Sequence, residues 1–284
     1  MFSSFAASAQ YSGNAVLEEY NRETIRPSLS PAMTKVYLSD SSFLISANVL
    51  VNVIADSYVA TFGVAESALS LREANIKMDK RISAFTADLA GMHIAPENIY
   101  IDVTTQTQIS DYKVSGDYAE EYVLGFQQKK NVIVKFKRVK DLDQILAFAS
   151  SHAIYDLAKV DYIVEDVNKI YVQLFRMAME VVNEKKELYT LATNTKAGSR
   201  SEVYGEAFRS FYPVQLYKTY TPNVSTVYEN YSSYGKRKGL AKNATYYYNK
   251  VDYTGFDKII NPAVVEPAVE FTFSLQVKFA KDDR

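Results

Sequence analysis

The sequence predicts an α+β fold, an antiparallel β-sheet with helices packed on one face. Three patterns carry that expectation. Period-two alternation of apolar residues appears at 43–64, and again at 269–279 close to the end of the chain. Helical periodicity at 71–92 falls between strand pairs, and a second long helical pattern covers 168–191. The 284 residues are 48% hydrophobic, enough to fill the core of a single large domain, read here as 35–284.

The elements follow in order. Phe43, Ile45, Ala47, Val49, Val51 and Val53 share one face of a first strand. Ala55-Asp56-Ser57 can turn the chain, and Tyr58, Ala60, Phe62 and Val64 continue, so the two strands are expected to pair as a hairpin. Leu71, Met78, Ile82, Phe85, Leu89 and Met92 then recur at helical spacing. Ser70 with Glu73 is a capping-box pattern, Gly91 suits the left-handed position after the helix, and Pro96 stops its continuation. Strands are expected at 99–109 and 122–137, joined by a polar loop around Gly116. Asp141 is placed to cap a short helix carrying Leu142, Ile145, Leu146 and Ala149, and a strand-like stretch covers 154–164. The longest helix buries Tyr171, Leu174, Phe175, Ala178, Val181, Val182 and Leu188. Residues 193–267, rich in glycine, serine, asparagine, proline and tyrosine, read as an insertion in which only 211–220 is strand-like. In the closing strand Val269, Phe271, Phe273, Leu275, Val277 and Phe279 should be buried, with Glu270, Thr272, Ser274, Gln276 and Lys278 facing water.

Composition excludes several chemistries. There is no cysteine, hence no disulfide, thiolate metal site or cysteine nucleophile. The formal net charge of -1 gives no global attraction for polyanions. No apolar run reaches the roughly 18 residues of a membrane helix. The two histidines, His93 and His152, each follow a helix end and stand in no metal-binding spacing. Glu120-Glu121, Glu165-Asp166 and Asp282-Asp283 are sequential pairs, and neighbours on a strand point to opposite faces, so none makes an acid–base dyad by itself. Neither GxGxxG nor GxxxxGK[ST] occurs. Accordingly no catalytic residue, metal ligand or cofactor is assigned.

At the N-terminus, Ala7-Ser8-Ala9 forms the small-residue pattern that signal peptidase accepts, which predicts that 1–9 is a signal-peptide remnant and that cleavage precedes Gln10. The basic and apolar parts of such a signal are expected upstream. Residues 10–34, with Pro27 and Pro31, read as an extended lead-in. Export from the cytoplasm follows as an expectation.

Several segments in this order resemble the SIMPL-domain family. SANVLVNVIADSYVATFGVAES is similar to its opening strands, and GMHIAPENIYIDV to the helix end and the strand after it. Gly125-Phe126, Asn131-Val132-Ile133-Val134 and Asp141-Leu142-Asp143-Gln144-Ile145-Leu146 resemble its "GY…N.V.V…DL..L" stretch, and VEFTFSLQVKFAKDD its last strand. The likeness covers 35–192 and 265–284, while 193–267 is longer and richer in tyrosine than in the family. The resemblance implies a bacterial, periplasmic or outer-membrane-associated protein, in some members ring-forming or linked to stress tolerance, without an established enzymatic activity.

Tyrosine supplies the remaining clue. Tyr228, Tyr231, Tyr234, Tyr246, Tyr247 and Tyr248, interleaved with Lys236, Arg237, Lys238 and Lys242, suit three roles. They could cover the core, form an interface between copies, or stack on an envelope glycan. The expected function is a non-enzymatic, self-associating structural or interaction protein of the cell envelope. The alternatives are a glycan- or ligand-binding module that uses the insertion, and a hydrolase built from dispersed carboxylates. Homo-oligomers, an envelope glycan or another envelope protein are the expected partners; nucleic acid is not.

Overall fold

The computed structural model describes residues 36–38, 41–115, 118–195, 197–220 and 245–281. In chain order the elements are β1 (Val36–Leu38), β2 (Ser42–Val53), β3 (Ser57–Ala68), α1 (Leu71–Gly91), β4 (Ile99–Ser115), β5 (Tyr118–Phe136), α2 (Asp141–Ser151), β6 (Asp156–Ile163) and α3 (Val167–Thr193). They continue with β7 (Ala197–Phe211), the one-turn α4 (Pro213–Leu216), β8 (Tyr217–Tyr220), β9 (Thr245–Tyr248), β10 (Lys258–Ile260) and β11 (Val269–Lys281). The fold is α+β, as expected. The expected signal remnant at 1–9 and the expected lead-in at 10–34 lie outside the described residues. Among the described residues the chain divides into two units, one of 55–165 and one of 36–54 with 166–281.

The first unit is an antiparallel sheet in the order β4-β5-β3-β6. Ala60, Phe62 and Val64 of β3 and Val132, Val134 and Phe136 of β5 form its apolar face. Against that face α1 buries Met78, Ile82, Phe85 and Leu89, and α2 adds Ile145 and Ala149. Phe62 and Phe85 meet edge-on, 5.6 Å between ring centroids. Burying each such side chain contributes about 1.5–3 kcal/mol. The Ser70 hydroxyl accepts from Glu73 N at 3.2 Å, so the expected N-cap is made. The other helix ends differ from expectation. Gly91 is still helical and the left-handed residue is His93, at φ 62°. Ile94 N then donates to Leu89 O, closing the helix without glycine. Asp141 is the first helical residue of α2 and does not cap it; its carboxylate instead accepts from Arg138 at 2.7 Å.

The second unit is a sheet in the order β1-β2-β11-β7, antiparallel throughout, with β10 added in parallel beside β2. β11 takes one edge of β2, and β1 and β10 share the other. Asp166 caps α3 through Lys169 N, and the helix lies on one face of the sheet. Tyr171 and Phe175 of α3 rest on Phe273 at 5.5 and 5.8 Å. Leu188, expected to be buried, is 64% exposed, and Leu191 in the last turn of the helix is 80% exposed.

Three expectations about strands are corrected. β2 and β3 do not form a hairpin: β2 pairs with β11 over twelve positions, and β3 pairs with β5 and β6. The link between them is tied to β6 instead, by Asp56 N to Ile163 O at 2.8 Å and by Glu165 N to the Asp56 carboxylate at 2.9 Å. The reason is burial. β2 is apolar or buried on both faces from Ser46 to Asn52 and needs a long partner inside a sheet, which β11 supplies. Second, 193–267 is more than an insertion. Its first part is β7, a 15-residue strand paired along β11. The strand read at 211–220 is broken by α4, where Pro213 sits at the first helical position. Third, the closing strand is not wet along its whole outer face. Glu270 and Thr272 are 0% and 7% exposed, whereas Ser274, Gln276 and Lys278 remain partly exposed.

Candidate functional site

The described tyrosines of the 193–267 segment explain that burial. β8 and β9 pair as a short ribbon in which Tyr217 lies opposite Tyr248 and Lys218 opposite Tyr247. Alternation turns Tyr248 and Tyr246 to one side and Tyr247 to the other, where it is exposed. Leu216, Val251 and Leu50 form a small core with Phe211, Tyr248, Tyr253, Phe256 and Ile259 packed around it. Leu50 and Ile259 are register partners on β2 and β10. Residues 211–220 and 245–262 therefore cover one end of the β2–β11 face away from α3. Tyr228, Tyr231 and Tyr234 lie outside the described residues.

Under this cover sits Glu270. Tyr248 Oη donates to its Oε1 at 2.8 Å, and Val251 N donates to Oε1 and Oε2 at 3.1 and 3.0 Å. Burial pushes the Glu270 carboxyl above the ordinary glutamate range. The Tyr248 hydroxyl, the Val251 N–H and the Lys250 charge pull in the other direction without cancelling it. Burial also raises the Tyr248 phenol, and the Glu270 charge raises it further. Opposite Glu270 in the register is Asn52, whose Nδ2 donates to Tyr253 Oη at 2.7 Å and Asn261 O at 2.8 Å. The Asn52 Oδ1 is buried without a donor among the described residues. At the edge of β2, the Asp257 carboxylate accepts from Asn48 N at 2.9 Å and from Lys185 Nζ of α3 at 2.7 Å. These polar anchors fasten the cover to the sheet. Sequence reading missed Glu270 because strict alternation assigned it to water; the signal available was the tyrosine density downstream of β7.

The first unit carries a different feature. β3 pairs with β5 only over 126–136, yet β4 and β5 stay paired out to Ser115 and Tyr118. From Gly125 to the tip, β4 is the only partner of β5 among the described residues, so the two form a free ribbon arm. The arm leaves the sheet at Gly125, φ 158°, where a Cβ would lie 2.5 Å from Ala68 O. Leu124 is the extra residue of a bulge there, because Ile109 pairs with Gly125 and Ser110 with Val123. Cross-strand partners share a face. One face of the arm thus collects Ser110, Val123, Tyr112, Val114 and Ala119 with Glu121 opposite Tyr112, and the other Asp111, Tyr122, Lys113, Glu120 and Tyr118. Tyr112, Val114 and Val123 are 62%, 72% and 54% exposed. Glu120 and Glu121, adjacent in sequence, fall on opposite faces of this arm.

Several other acidic and histidine groups hold the first unit together. His152 Nε2 lies 2.7 Å from the Asp88 carboxylate, joining the end of α2 to α1. Arg81 donates to the Glu66 carboxylate and to the carbonyls of Ala65, His152 and Ala153. Among the described residues no three His, Asp or Glu side chains gather as a metal site. No helix among them is long and apolar enough to cross a membrane.

The packing defines the class: an α+β protein of two sheet units, with α1 and α2 on one face of the first sheet and α3 on one face of the second. A family model described as SIMPL, protein of unknown function (DUF541), matches residues 45–244. The chain belongs to that family. No curated protein matches it.

Proposed function

We propose that the chain is a non-catalytic structural protein of the cell envelope that associates with further copies of itself through the β4–β5 arm. The exposed, largely apolar face of the arm, with Glu121 its one charge, carries this reading. A two-stranded ribbon standing alone is marginally stable in water, and this one presents Tyr112, Val114 and Val123 to solvent on a single face. A receiving surface on a second copy removes that area from water and orders the ribbon. The six residues Ser110–Ser115 span about 20 Å, and since a stable contact needs roughly 1,000 Å² the receiving surface has to wrap both faces of the ribbon. Closed rotational symmetry is expected, because an open head-to-tail contact makes filaments. The envelope location rests on the Ala7-Ser8-Ala9 pattern.

Light scattering coupled to size exclusion tests the association. Wild type is expected at a multiple of the chain mass. Combined Tyr112→Asp and Val123→Asp, both at exposed sites, should give the single-chain mass with an unchanged circular dichroism spectrum. A wild-type monomer at micromolar concentration refutes the reading, as does a double variant that stays oligomeric. Fractionation of the native host, with sequencing of the recovered N-terminus, tests the location: an intact N-terminus in the cytosol would end that part.

A further inference from the structure

The flank of α3 beside its buried stripe does not pack on the sheet, and Met177, 5% exposed, is the border between the two. Lys169, Val172, Gln173, Arg176, Met177 and Glu180 line it, and with Lys258 and Ile260 of β10 they enclose an open depression of about 590 Å³. All eight belong to the second unit. The spacing explains the site. Positions 169, 172, 173, 176, 177 and 180 are three or four apart and stack along one side of a helix. Residues 258 and 260 of β10 point the same way, while Ile259 faces the small core under the tyrosine cover.

Chemically the depression is divided. Val172, Met177 and Ile260 make an apolar floor, and Val172 is 38% exposed there. Three cations and one anion surround it. The Lys258 ammonium is 3.1 Å from the Glu180 carboxylate, which neutralises that pair. Among the described residues neither the Arg176 guanidinium nor the Lys169 ammonium is paired with a carboxylate. The depression therefore carries two uncompensated positive charges beside hydrocarbon, in a chain whose net charge is -1. Its volume falls in the range of small-ligand sites. A planar guanidinium matches a carboxylate or phosphate with two parallel hydrogen bonds, while an ammonium acts as a point charge.

We infer that this depression binds an amphiphile with an oxyanion head and a short hydrocarbon body, the head on Arg176 with Lys169 in support and the chain over Val172, Met177 and Ile260. Both halves are required. A free inorganic anion gains nothing from the floor, and a cationic amphiphile is repelled by the rim. A carboxylate head and a phosphate head share this chemistry, and the experiment separates them. The site is independent of the arm, which lies in the other unit.

Titrations of the full chain with octanoate, octyl phosphate, octyltrimethylammonium and inorganic phosphate, followed by amide chemical shifts, test the site. Saturable shifts confined to α3 and β10 are expected with octanoate, octyl phosphate or both, and the pattern identifies the head group. Arg176→Glu, a change at an exposed position, should weaken binding at least tenfold. Val172→Asn should weaken octyl ligands several-fold while leaving the circular dichroism spectrum as in wild type. Absence of saturable shifts at α3 and β10 with either octyl anion overturns the inference. Equal binding of octyltrimethylammonium or of inorganic phosphate overturns it too, as does an Arg176→Glu variant that binds like wild type.

Discussion

Replacing Glu270 with glutamine isolates the effect of one buried charge on the tyrosine cover. The carboxyl is 0% exposed and receives three contacts, all from neutral donors: one from Tyr248 Oη and two from Val251 N. Its affinity for protons is raised by burial, so the folded protein holds a proton at Glu270 more tightly than the unfolded chain does. The stabilising contribution of the neutral form is therefore complete below the ordinary glutamate value and is lost as pH rises through the raised folded value. Within that window stability should fall with a slope approaching about 1.4 kcal/mol per pH unit. Glutamine cannot ionise. Its Oε1 can keep the Tyr248 and Val251 contacts, and its amide brings a donor to the face where Asn52 Oδ1 has none. The stability of Glu270→Gln minus that of wild type should consequently be smallest near pH 4, grow with pH, and level off once wild type is fully ionised. Urea unfolding of both proteins at half-unit steps from pH 4 to 8 measures it, and subtraction cancels the other carboxylates. Glu270→Ala leaves the buried Val251 N–H without its acceptor, at about 1–3 kcal/mol, while Tyr248 Oη keeps only Ala268 O at 3.3 Å, so it should be destabilised at every pH. A difference between glutamine variant and wild type that stays flat from pH 4 to 8 would refute the account of Glu270 as a desolvated acid.

Further tests follow from packing. Gly125→Ala places a Cβ 2.5 Å from Ala68 O, a backbone atom that cannot yield without moving β3. It should lower the urea midpoint by an amount equivalent to about 1–3 kcal/mol, whereas Gly91→Ala meets nothing within 4 Å and should be neutral or slightly stabilising. Phe273→Asp puts a charge under Tyr171 and Phe175, where the side chain is fully buried, and should abolish soluble folding. Ser274→Asp, partly exposed on the other face of the same strand, should be tolerated, and equal denaturation midpoints for these two variants would contradict the observed register.

Much of this protein was legible in its residues. Alternation at 43–53, 58–64 and 269–279 and helical spacing at 71–92 and 168–191 mark elements that the structure contains, because one-sided burial writes its period into the chain. Pairing was not legible. β2 and β3 sit beside each other in sequence with only a short turn between, yet the strand that satisfies β2 lies more than two hundred residues away, since its two buried faces require an interior position. Strand β7 escaped notice for the opposite reason: at the sheet edge, with Ser201, Glu202, Val203 and Tyr204 exposed, it needs no alternation to exist, only a neighbour to bond. Glu270 shows the same limit at a single side chain. Its place in the strand was set by local period, but whether that face meets water depends on Tyr248, Val251 and Leu216, which reach it from a separate stretch of chain. Period is a local property of the backbone and is carried by neighbouring residues; burial and pairing are sums over distant ones, and only the folded chain brings those together.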